Sequence, residues 1–322
     1  MTKLKGLLLT EGMHGMISQV EGLAKELDLD YIHEKIELNN FWRLLPPKLT
    51  PISNFVFENQ IDHDFNILIS CGRKSVIPSI YLKKKYKNKI LNIHIQEPKV
   101  SFNNFDFIVA PEHDGLVGEN VLTSKGAIHY ITQKEVEESK NYLINKFQLN
   151  NYFNKDKLIT IILGGPNKYY SFSDLALKKI FEKIKITFIN SGFQAIIIPS
   201  IRTPKRIIDI AQEYFDGKEL VITDVDKIAY MSALAMAKYI IVTCDSISMI
   251  SEAATTGKPI YIAEMPTIKN NERFKNFFNL FESLNIIKPL NNSVEDWTYT
   301  KLDETNRIAK ELKDKIKQHD FS

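Results

Sequence analysis

Apolar residues recur along this chain in two patterns, as short, nearly continuous β-branched runs and as longer stretches of helical periodicity. The short runs are typical of strands in parallel sheets, and the longer stretches are typical of helices that cover both faces of such sheets. In the first half, the predicted strands span residues 4–9, 31–36, 66–71, 90–96 and 105–110. The predicted helices between them span residues 16–27 and 75–86.

The second half repeats the alternation after a polar stretch at 150–157, which we interpret as an interdomain linker. Its predicted strands span residues 158–163, 195–199, 220–222, 239–243 and 260–263. Its predicted helices span residues 174–190, 205–214, 228–235, 249–255, 272–284 and 303–317. The pattern predicts an α/β fold class with two doubly wound, Rossmann-like domains facing a cleft, at residues 1–150 and 151–322. The last helix could pack back on the first domain.

Composition narrows the class of protein. The 322 residues exceed what one hydrophobic core usually holds, and 44% of them are hydrophobic and 25% charged. The formal net charge of +3 is too small to suggest a nucleic-acid partner. Since no apolar run is long enough for a membrane span or a signal-peptide core, we expect a cytoplasmic protein, with peripheral contact at the inner face of a membrane as an open alternative.

One segment, residues 40–57, breaks the alternation. It contains three prolines and several large apolar residues, so it is predicted as a loop or a short broken helix. Its apolar side chains either fill a core beneath the loop or form an exposed apolar lip. The lysine-rich run at 83–89 is typical of a solvated helix end, but beside an exposed lip it would suit a lipid or membrane-surface partner.

Loops after the predicted strands of the second domain carry groups that suit a phosphate. Gly164 and Gly165 follow the first strand, and paired glycines let backbone N–H groups approach an anion closely. Arg202 precedes a helix that begins with proline, where a planar guanidinium is well placed to meet a phosphate. The donor-side candidates in these loops are Gly164, Gly165, Asn167, Ser200, Arg202 and Thr203.

The most informative loop begins the predicted helix 249–255. The hydroxyls of Ser246, Ser248 and Ser251 and the carboxylates of Asp245 and Glu252 crowd a strand end and the first turns of a helix. In open α/β sheets ligands bind at such a position, and the free N–H groups of the helix favour an anion. A carboxylate one turn further on could hold a ribose, so the sequence indicates a nucleotide-diphosphate ligand.

Two loops of the first domain supply candidates for the acceptor side. These candidates are Gly12, His14, Gly15, Gln19 and Glu112. His113 and Asp114 follow the predicted strand 105–110, and a His–carboxylate pair is suited to take a proton from an acceptor hydroxyl. The alternative is a solvated turn in which Asp114 caps the residues that follow.

An acidic triplet, Asp224-Val225-Asp226, resembles the metal-binding pairs of many sugar transferases. Because Asp226 immediately precedes the predicted helix 228–235, we interpret it as a helix N-cap. The sequence has no His/Cys cluster with metal-ligand spacing, so we expect no metal and no cofactor.

The motifs together resemble the mitochondrial fission ELM (elongated mitochondria) family, whose bacterial members are classed as candidate glycosyltransferases. The matching segments are 15–19, 42–47, 71–73, 96–98, 105–106, 111–114, 164–165, 200–204, 245–253 and 256–259. The resemblance implies a metal-independent enzyme of GT-B architecture, whose C-terminal domain binds a nucleotide-sugar, for instance one linked to UDP. It also implies that Glu252 holds the ribose, and Ser246 and Ser248 the diphosphate.

The chain departs from the family pattern at residues 15–19, where the usual histidine is absent. The resemblance implies transfer of a sugar to an acceptor hydroxyl, in cell-envelope or lipid-linked glycan synthesis. Two alternatives stay open: a non-catalytic recruiting protein at a membrane surface, as in plant members of the family, and a nucleotide-sugar epimerase or hydrolase.

Overall fold

A computed structural model describes residues 3–149, 154–215 and 219–318 of the chain. Its described residues form two compact units. Unit 1 takes the residues up to Tyr130 and those from Asp303 onward, and unit 2 runs from Ile131 to Leu302. Across the described ranges, no helix is both long and apolar enough to cross a bilayer.

Unit 1 contains one sheet of six parallel strands. Its strands are β1 (Lys5–Thr10), β2 (Asp30–Lys35), β3 (Ile67–Cys71), β4 (Leu91–Ile95), β5 (Phe107–Pro111) and β6 (Val121–Ser124). Helix α1 (His14–Glu26) follows β1, and α2 (Val76–Tyr86) follows β3. Every residue of β3 and β4 is buried, including the polar Ser70, Asn92 and His94, as expected for central strands of a parallel sheet covered on both faces.

Unit 2 contains a second sheet of six parallel strands. Its strands are β7 (Leu158–Leu163), β8 (Gln194–Pro199), β9 (Leu220–Val221), β10 (Tyr239–Thr243), β11 (Ile260–Ala263) and β12 (Ile287–Pro289). Its helices are α3 (Gln133–Glu138), α4 (Tyr142–Phe147), α5 (Asp174–Thr187), α6 (Lys205–Phe215), α7 (Lys227–Met236), α8 (Ile247–Ala254) and α9 (Glu272–Ser283).

Helix α10 (Glu304–Ile316) returns to unit 1. Its Ile308 and Leu312 are fully buried in the same hydrophobic cluster as Leu23 of α1 and Ile69 of β3. The predicted domain boundary at 150 falls inside unit 2, because α3 and α4 pack on α7 of that unit. Part of the predicted linker, residues 150–153, lies outside the described residues.

The order of strands fixes one switch point in each sheet. In unit 2 the order is β12-β11-β10-β7-β8-β9, so the chain leaves β7 toward one edge and returns to β10 on the other side of β7. In unit 1 the order is β2-β1-β3-β4-β5-β6, and the switch point lies between β1 and β3. Ligands of open α/β sheets bind beyond the carboxyl ends of the strands at such points.

Candidate functional site

Asp245 lies just beyond β10, at the switch point of unit 2, and its carboxylate is completely buried. Oδ2 accepts hydrogen bonds from Arg202 Nη2 at 2.7 Å and from the backbone N–H of Gly165 at 3.2 Å. Oδ1 accepts one from the hydroxyl of Thr243 at 2.6 Å. Asp245 therefore joins the loops that follow β7, β8 and β10.

The paired glycines after β7 make room for this carboxylate. A Cβ atom on Gly164 would lie 2.1 Å from Oδ1 of Asp245, and one on Gly165 would lie 2.1 Å from the carbonyl oxygen of Arg202. The N–H of Gly164 donates to Thr243 Oγ1 at 2.8 Å. The sequence predicted that these N–H groups bind a phosphate. In this structure they donate instead to Thr243 and Asp245. The anion that comes close to the two glycines is therefore a carboxylate of the protein itself.

Burial raises the pKa of Asp245, and the hydrogen bond from Thr243 and the charge of Arg202 oppose that rise. The side chain of Arg202 is 41% exposed although one of its guanidinium nitrogens is held by Asp245. Since a guanidinium has five N–H donors in a fixed plane, Arg202 can contact Asp245 and an incoming anion together. Asp245 positions Arg202 and is itself inaccessible to a ligand.

The loop after β8 is held by Ser200 and Thr203. The backbone N–H of Ser200 donates to Thr203 Oγ1 at 2.8 Å, and Thr203 Oγ1 donates to the carbonyl of Leu163 at 2.6 Å. Asn167 is likewise engaged, because its Oδ1 accepts from the N–H groups of Tyr169 and Tyr170 and its Nδ2 donates to the carbonyl of Asp245. These side chains shape the loops around Arg202.

Helix α8 begins at the same strand end. Ser246 is its N-cap and accepts from the N–H of Met249 at 3.4 Å, and Ser248 in the first turn is half-buried. Ser251 is buried, and its hydroxyl donates to the carbonyl of Ile247 at 2.8 Å. Of the three serines, Ser246 and Ser248 are therefore the ones that a ligand at the helix N-terminus can reach.

Glu252, in the second turn of α8, is nearly buried, and its Oε2 accepts a hydrogen bond from the hydroxyl of Tyr230 at 3.0 Å. Burial raises the pKa of Glu252 to about 7, against the hydrogen bond from Tyr230 and the charge of Lys227. Sequence reasoning missed Tyr230 because it lies on α7, and nothing local in the sequence shows that α7 faces α8. It also missed Thr243, whose position as the last residue of β10 was a usable signal.

At the switch point of unit 1 a carboxylate also links the loops that follow two neighbouring strands. Glu11, just after β1, accepts a hydrogen bond from the N–H of Lys74 at 3.0 Å in the turn that follows β3. Gly72 in that turn has φ +95°, and a Cβ there would lie 3.0 Å from Glu11 Oε1. Glu11 was not among the predicted residues. Like Asp245 it links the two loops at the switch point of its unit, but it follows β1, the first strand of its sheet, whereas Asp245 follows β10.

Four of the five predicted acceptor-side residues lie in unit 1 in the loop after β1 and the first two turns of α1, namely Gly12, His14, Gly15 and Gln19. His14 is exposed at the start of α1, with Nε2 3.0 Å from the hydroxyl of Tyr130. Gln19 is buried and donates to the carbonyl of Gly15 at 3.0 Å. Gly12 has φ +83°, which is why glycine suits this turn. Only His14 of the two polar side chains is open to a ligand.

The predicted catalytic pair follows β5. The imidazole of His113 has no exposed surface, and its Nε2 lies 3.6 Å from Oδ1 of Asp114, whose side chain is 9% exposed. Glu112 beside them is exposed. A general base must reach its substrate, so this geometry favours Asp114 as the base and His113 as a positioning residue. The role of both residues stays a prediction.

The acidic triplet Asp224-Val225-Asp226 lies at the start of helix α7. Asp226 is the N-cap of α7 as the sequence predicted, and it accepts from the N–H groups of Ile228 and Ala229. The same carboxylate also accepts from Tyr142 Oη at 2.7 Å and Lys146 Nζ at 2.9 Å. Within the part of the chain that the structure describes, no three His, Cys, Asp or Glu side chains are grouped to hold a metal ion.

Comparison with known proteins identifies relatives over most of the chain. The family described as mitochondrial fission ELM1 matches residues 14–316. An uncharacterized protein of Rickettsia prowazekii is 28% identical, over 94% of this chain and 96% of its own length. The mitochondrial fission protein ELM1 of Arabidopsis thaliana is 23% identical, over 76% of this chain and 64% of its own length.

Solved structures resemble the chain in fold. A UDP-glucosyltransferase from Polygonum tinctorium superposes with a TM-score of 0.52 at 10% identity, covering 97% of this chain and 90% of its own. The UDP-GlcNAc 2-epimerase of Methanocaldococcus jannaschii has a TM-score of 0.51 at 14% identity, covering 95% and 98%. The chain therefore has the GT-B type of fold with two Rossmann-like domains, which confirms the predicted fold class.

Proposed function

The chain belongs to the mitochondrial fission ELM1 family, and from that premise we propose that it transfers a sugar from a nucleotide-diphosphate donor to an acceptor hydroxyl. The observation that carries this proposal is the arrangement at the switch point of unit 2. There the partly exposed side chain of Arg202 follows β8, and the N-terminus of α8 with the carboxylate of Glu252 follows β10, so the two groups lie on either side of β7.

Each of these groups matches one part of a nucleoside diphosphate. The N-terminus of α8, with Ser246 and Ser248, supplies N–H and hydroxyl donors for the diphosphate, and Arg202 supplies positive charge. Glu252, one turn further along α8, accepts hydrogen bonds from the ribose hydroxyls. Asp245 is the positioning residue that holds Arg202 at the edge of the sheet.

In the proposed reaction the acceptor oxygen attacks the anomeric carbon of the sugar. The new carbon–oxygen bond forms as the bond to the phosphate oxygen breaks, and the electron pair stays on the leaving diphosphate. Arg202 and the N-terminus of α8 stabilise that developing charge. The proton of the acceptor hydroxyl passes to a base, for which Asp114 is our candidate.

Calorimetric titration with UDP, GDP and ADP tests the donor site directly. We expect micromolar to millimolar binding of at least one nucleotide, unchanged by EDTA, since the proposed site uses no metal. Arg202→Ala should weaken binding of both the nucleotide and inorganic pyrophosphate. Glu252→Gln should weaken only the nucleotide, because pyrophosphate lacks a ribose. Lys205→Ala, a neighbouring exposed residue, is the matched control.

Absence of binding for all three nucleotides at millimolar concentration, with unchanged thermal stability, would overturn the proposal. If a nucleotide binds, product analysis with labelled UDP-N-acetylglucosamine separates the possible reactions. Transfer needs an added acceptor, hydrolysis releases free sugar without one, and epimerisation returns an isomeric nucleotide-sugar.

A further inference from the structure

A concentration of exposed apolar side chains lies in unit 1, far along the chain from the loops of the donor site. We call residues 41–55 the apolar lip. Its large exposed side chains are Phe41 (63% exposed), Leu44 (75%), Leu49 (61%), Ile52 (37%) and Phe55 (57%). Of the alternatives that the sequence left open, the structure favours an exposed lip. Single exposed apolar residues are ordinary, but five within one short segment indicate a contact surface.

The lip is held in this exposed conformation by its own chain. Arg73 donates from Nη2 to the carbonyl of Arg43 at 2.7 Å and from Nη1 to the carbonyl of Leu45 at 3.4 Å. The indole of Trp42 packs between two rings, with centroid distances of 4.8 Å to Phe41 and 5.9 Å to Phe55. The exposed apolar side chains are therefore parts of an ordered surface.

The charge of this surface is positive. The lip contains the exposed cations Arg43 and Lys48 and no Asp or Glu. Residues 54–56 contact α2, and a groove lined by Asn54, Tyr81 and Lys85, among others, connects the lip to the end of that helix.

The basic end of α2 continues the positive surface. Lys84, Lys87 and Lys89 are exposed there, whereas Lys83 pairs with Asp106 at 2.8 Å. Glu58 and Asp62 also line the groove, so the positive excess comes from the lip and from Lys84, Lys87 and Lys89 at the end of α2.

We propose that the apolar lip and the lysines at the end of α2 dock the protein on the surface of an anionic membrane. Aromatic and aliphatic side chains beside lysines are the combination that enters the headgroup region of a bilayer, and lysine is depleted in protein–protein interfaces. Each lysine near an anionic surface contributes about 1 kcal/mol, and the apolar side chains add hydrophobic transfer. This docking surface is independent of the proposed sugar site.

Trp42 makes the proposal directly measurable, because the chain has only two tryptophans, Trp42 and Trp297. Within the described residues, the indole N–H of Trp297 has no hydrogen-bond partner, so Trp297→Phe leaves no acceptor unpaired. In that variant we expect the emission of Trp42 to shift to the blue on vesicles containing phosphatidylglycerol, and to be quenched by brominated acyl chains. Pure phosphatidylcholine vesicles should give a much smaller change, and high salt should reduce the binding.

Paired variants separate the two parts of the surface. Phe41→Ser with Leu44→Ser, and Lys84→Glu with Lys87→Glu, should each weaken vesicle co-sedimentation about tenfold or more. Val117→Ser, at a residue that is 90% exposed outside the lip, should leave it unchanged. Circular dichroism and nucleotide titration check that each variant is folded.

Three results would overturn the proposal. They are a Trp42 emission that anionic vesicles neither shift nor quench, lip variants that bind vesicles as well as the parent protein, and vesicle binding that does not depend on the charge of the lipid. A dimer of the parent protein that the lip variants abolish, without vesicle binding, would assign the lip to a second copy of the chain instead. Loss of nucleotide binding alone would leave the docking surface supported, because the two sites share no residue.

Discussion

Arg202 Nη2 lies 2.7 Å from the buried Oδ2 of Asp245, so the arginine proposed to bind a diphosphate is already held by a carboxylate of its own chain. The pair joins the loops after β8 and β10, the second of which leads into α8. A fixed cation beside a helix N-terminus is preorganised for an anion, because little of its side-chain entropy remains to be lost on binding. If Arg202 binds a diphosphate as we propose, the ion pair with Asp245 holds its side chain in place for that ligand.

Arg202→Ala should lower the free energy of unfolding by about 1 to 3 kcal/mol, because it leaves a buried carboxylate without its cation. Urea unfolding at neutral pH measures this change. The exposed pair of Lys205 with Asp209 is the control, and Lys205→Ala should cost less than about 0.5 kcal/mol. Equal effects of the two substitutions would show that the buried ion pair has no special weight.

Gly164→Ala should be far more damaging than its small change in volume suggests. The added Cβ would lie 2.1 Å from Oδ1 of Asp245, so the carboxylate must move and lose hydrogen bonds, at a cost of about 3 kcal/mol or more. Gly115 is the matched control, because it has φ +68° and open space around its Cβ position. Gly115→Ala should cost only about 1 kcal/mol, from backbone strain. Thermal unfolding of both variants measures the difference. A much larger loss for Gly164→Ala shows that glycine is required at 164 for lack of space, and equal losses would contradict this.

The core strands were predictable because their burial leaves a continuous apolar run in the sequence. β7, β10 and β11 have the predicted bounds, whereas β6 and β12 were missed. Both missed strands lie at a sheet edge and are short, and β6 is only alternately buried, so their sequences resemble loops. Helices α3 and α4 have six residues each, too few to show a helical period.

The loops of the site were predictable, but the partners within them were not. A Gly-Gly pair indicates that an anion comes close, yet the sequence cannot say whether the anion is a ligand or a side chain distant along the chain. Asp245 fills that position from beyond β10, and in unit 1 Glu11, from beyond β1, accepts a hydrogen bond from the N–H of Lys74 in the turn after β3. Only the three-dimensional register of neighbouring strands brings such residues together.

Asp226 should contribute stability that depends on pH. Burial opposes its ionisation, but hydrogen bonds from Tyr142, Lys146 and the start of α7 outweigh it and lower the pKa of Asp226 from 3.8 to about 2. This contribution is therefore present above about pH 4 and is lost as the pH falls toward 2.

The variant Asp226→Asn keeps an N-cap acceptor and removes the charge. It should be about 1 kcal/mol less stable than the parent at pH 6, since water screens part of the ion pair, and nearly equal to it near pH 2.5. Asp224→Asn, at an exposed residue, should show no such dependence. Unfolding measured across this pH range gives the answer, and a constant difference for Asp226→Asn would contradict it.

Glu252→Gln should stabilise the protein at alkaline pH while weakening its nucleotide binding. Burial raises the pKa of Glu252 from 4.5 to about 7, so between these values the native state holds a proton that the unfolded chain has released. The contribution of Glu252 to the free energy of unfolding therefore falls by about 3 kcal/mol as the pH rises through this window. Glutamine does not ionise, so the variant does not lose this stability. The variant should equal the parent near pH 4.5 and exceed it at pH 8 in urea unfolding. If instead the variant is less stable at pH 8, the ionised carboxylate is satisfied in the fold, and Glu252 is not held under strain for a ribose.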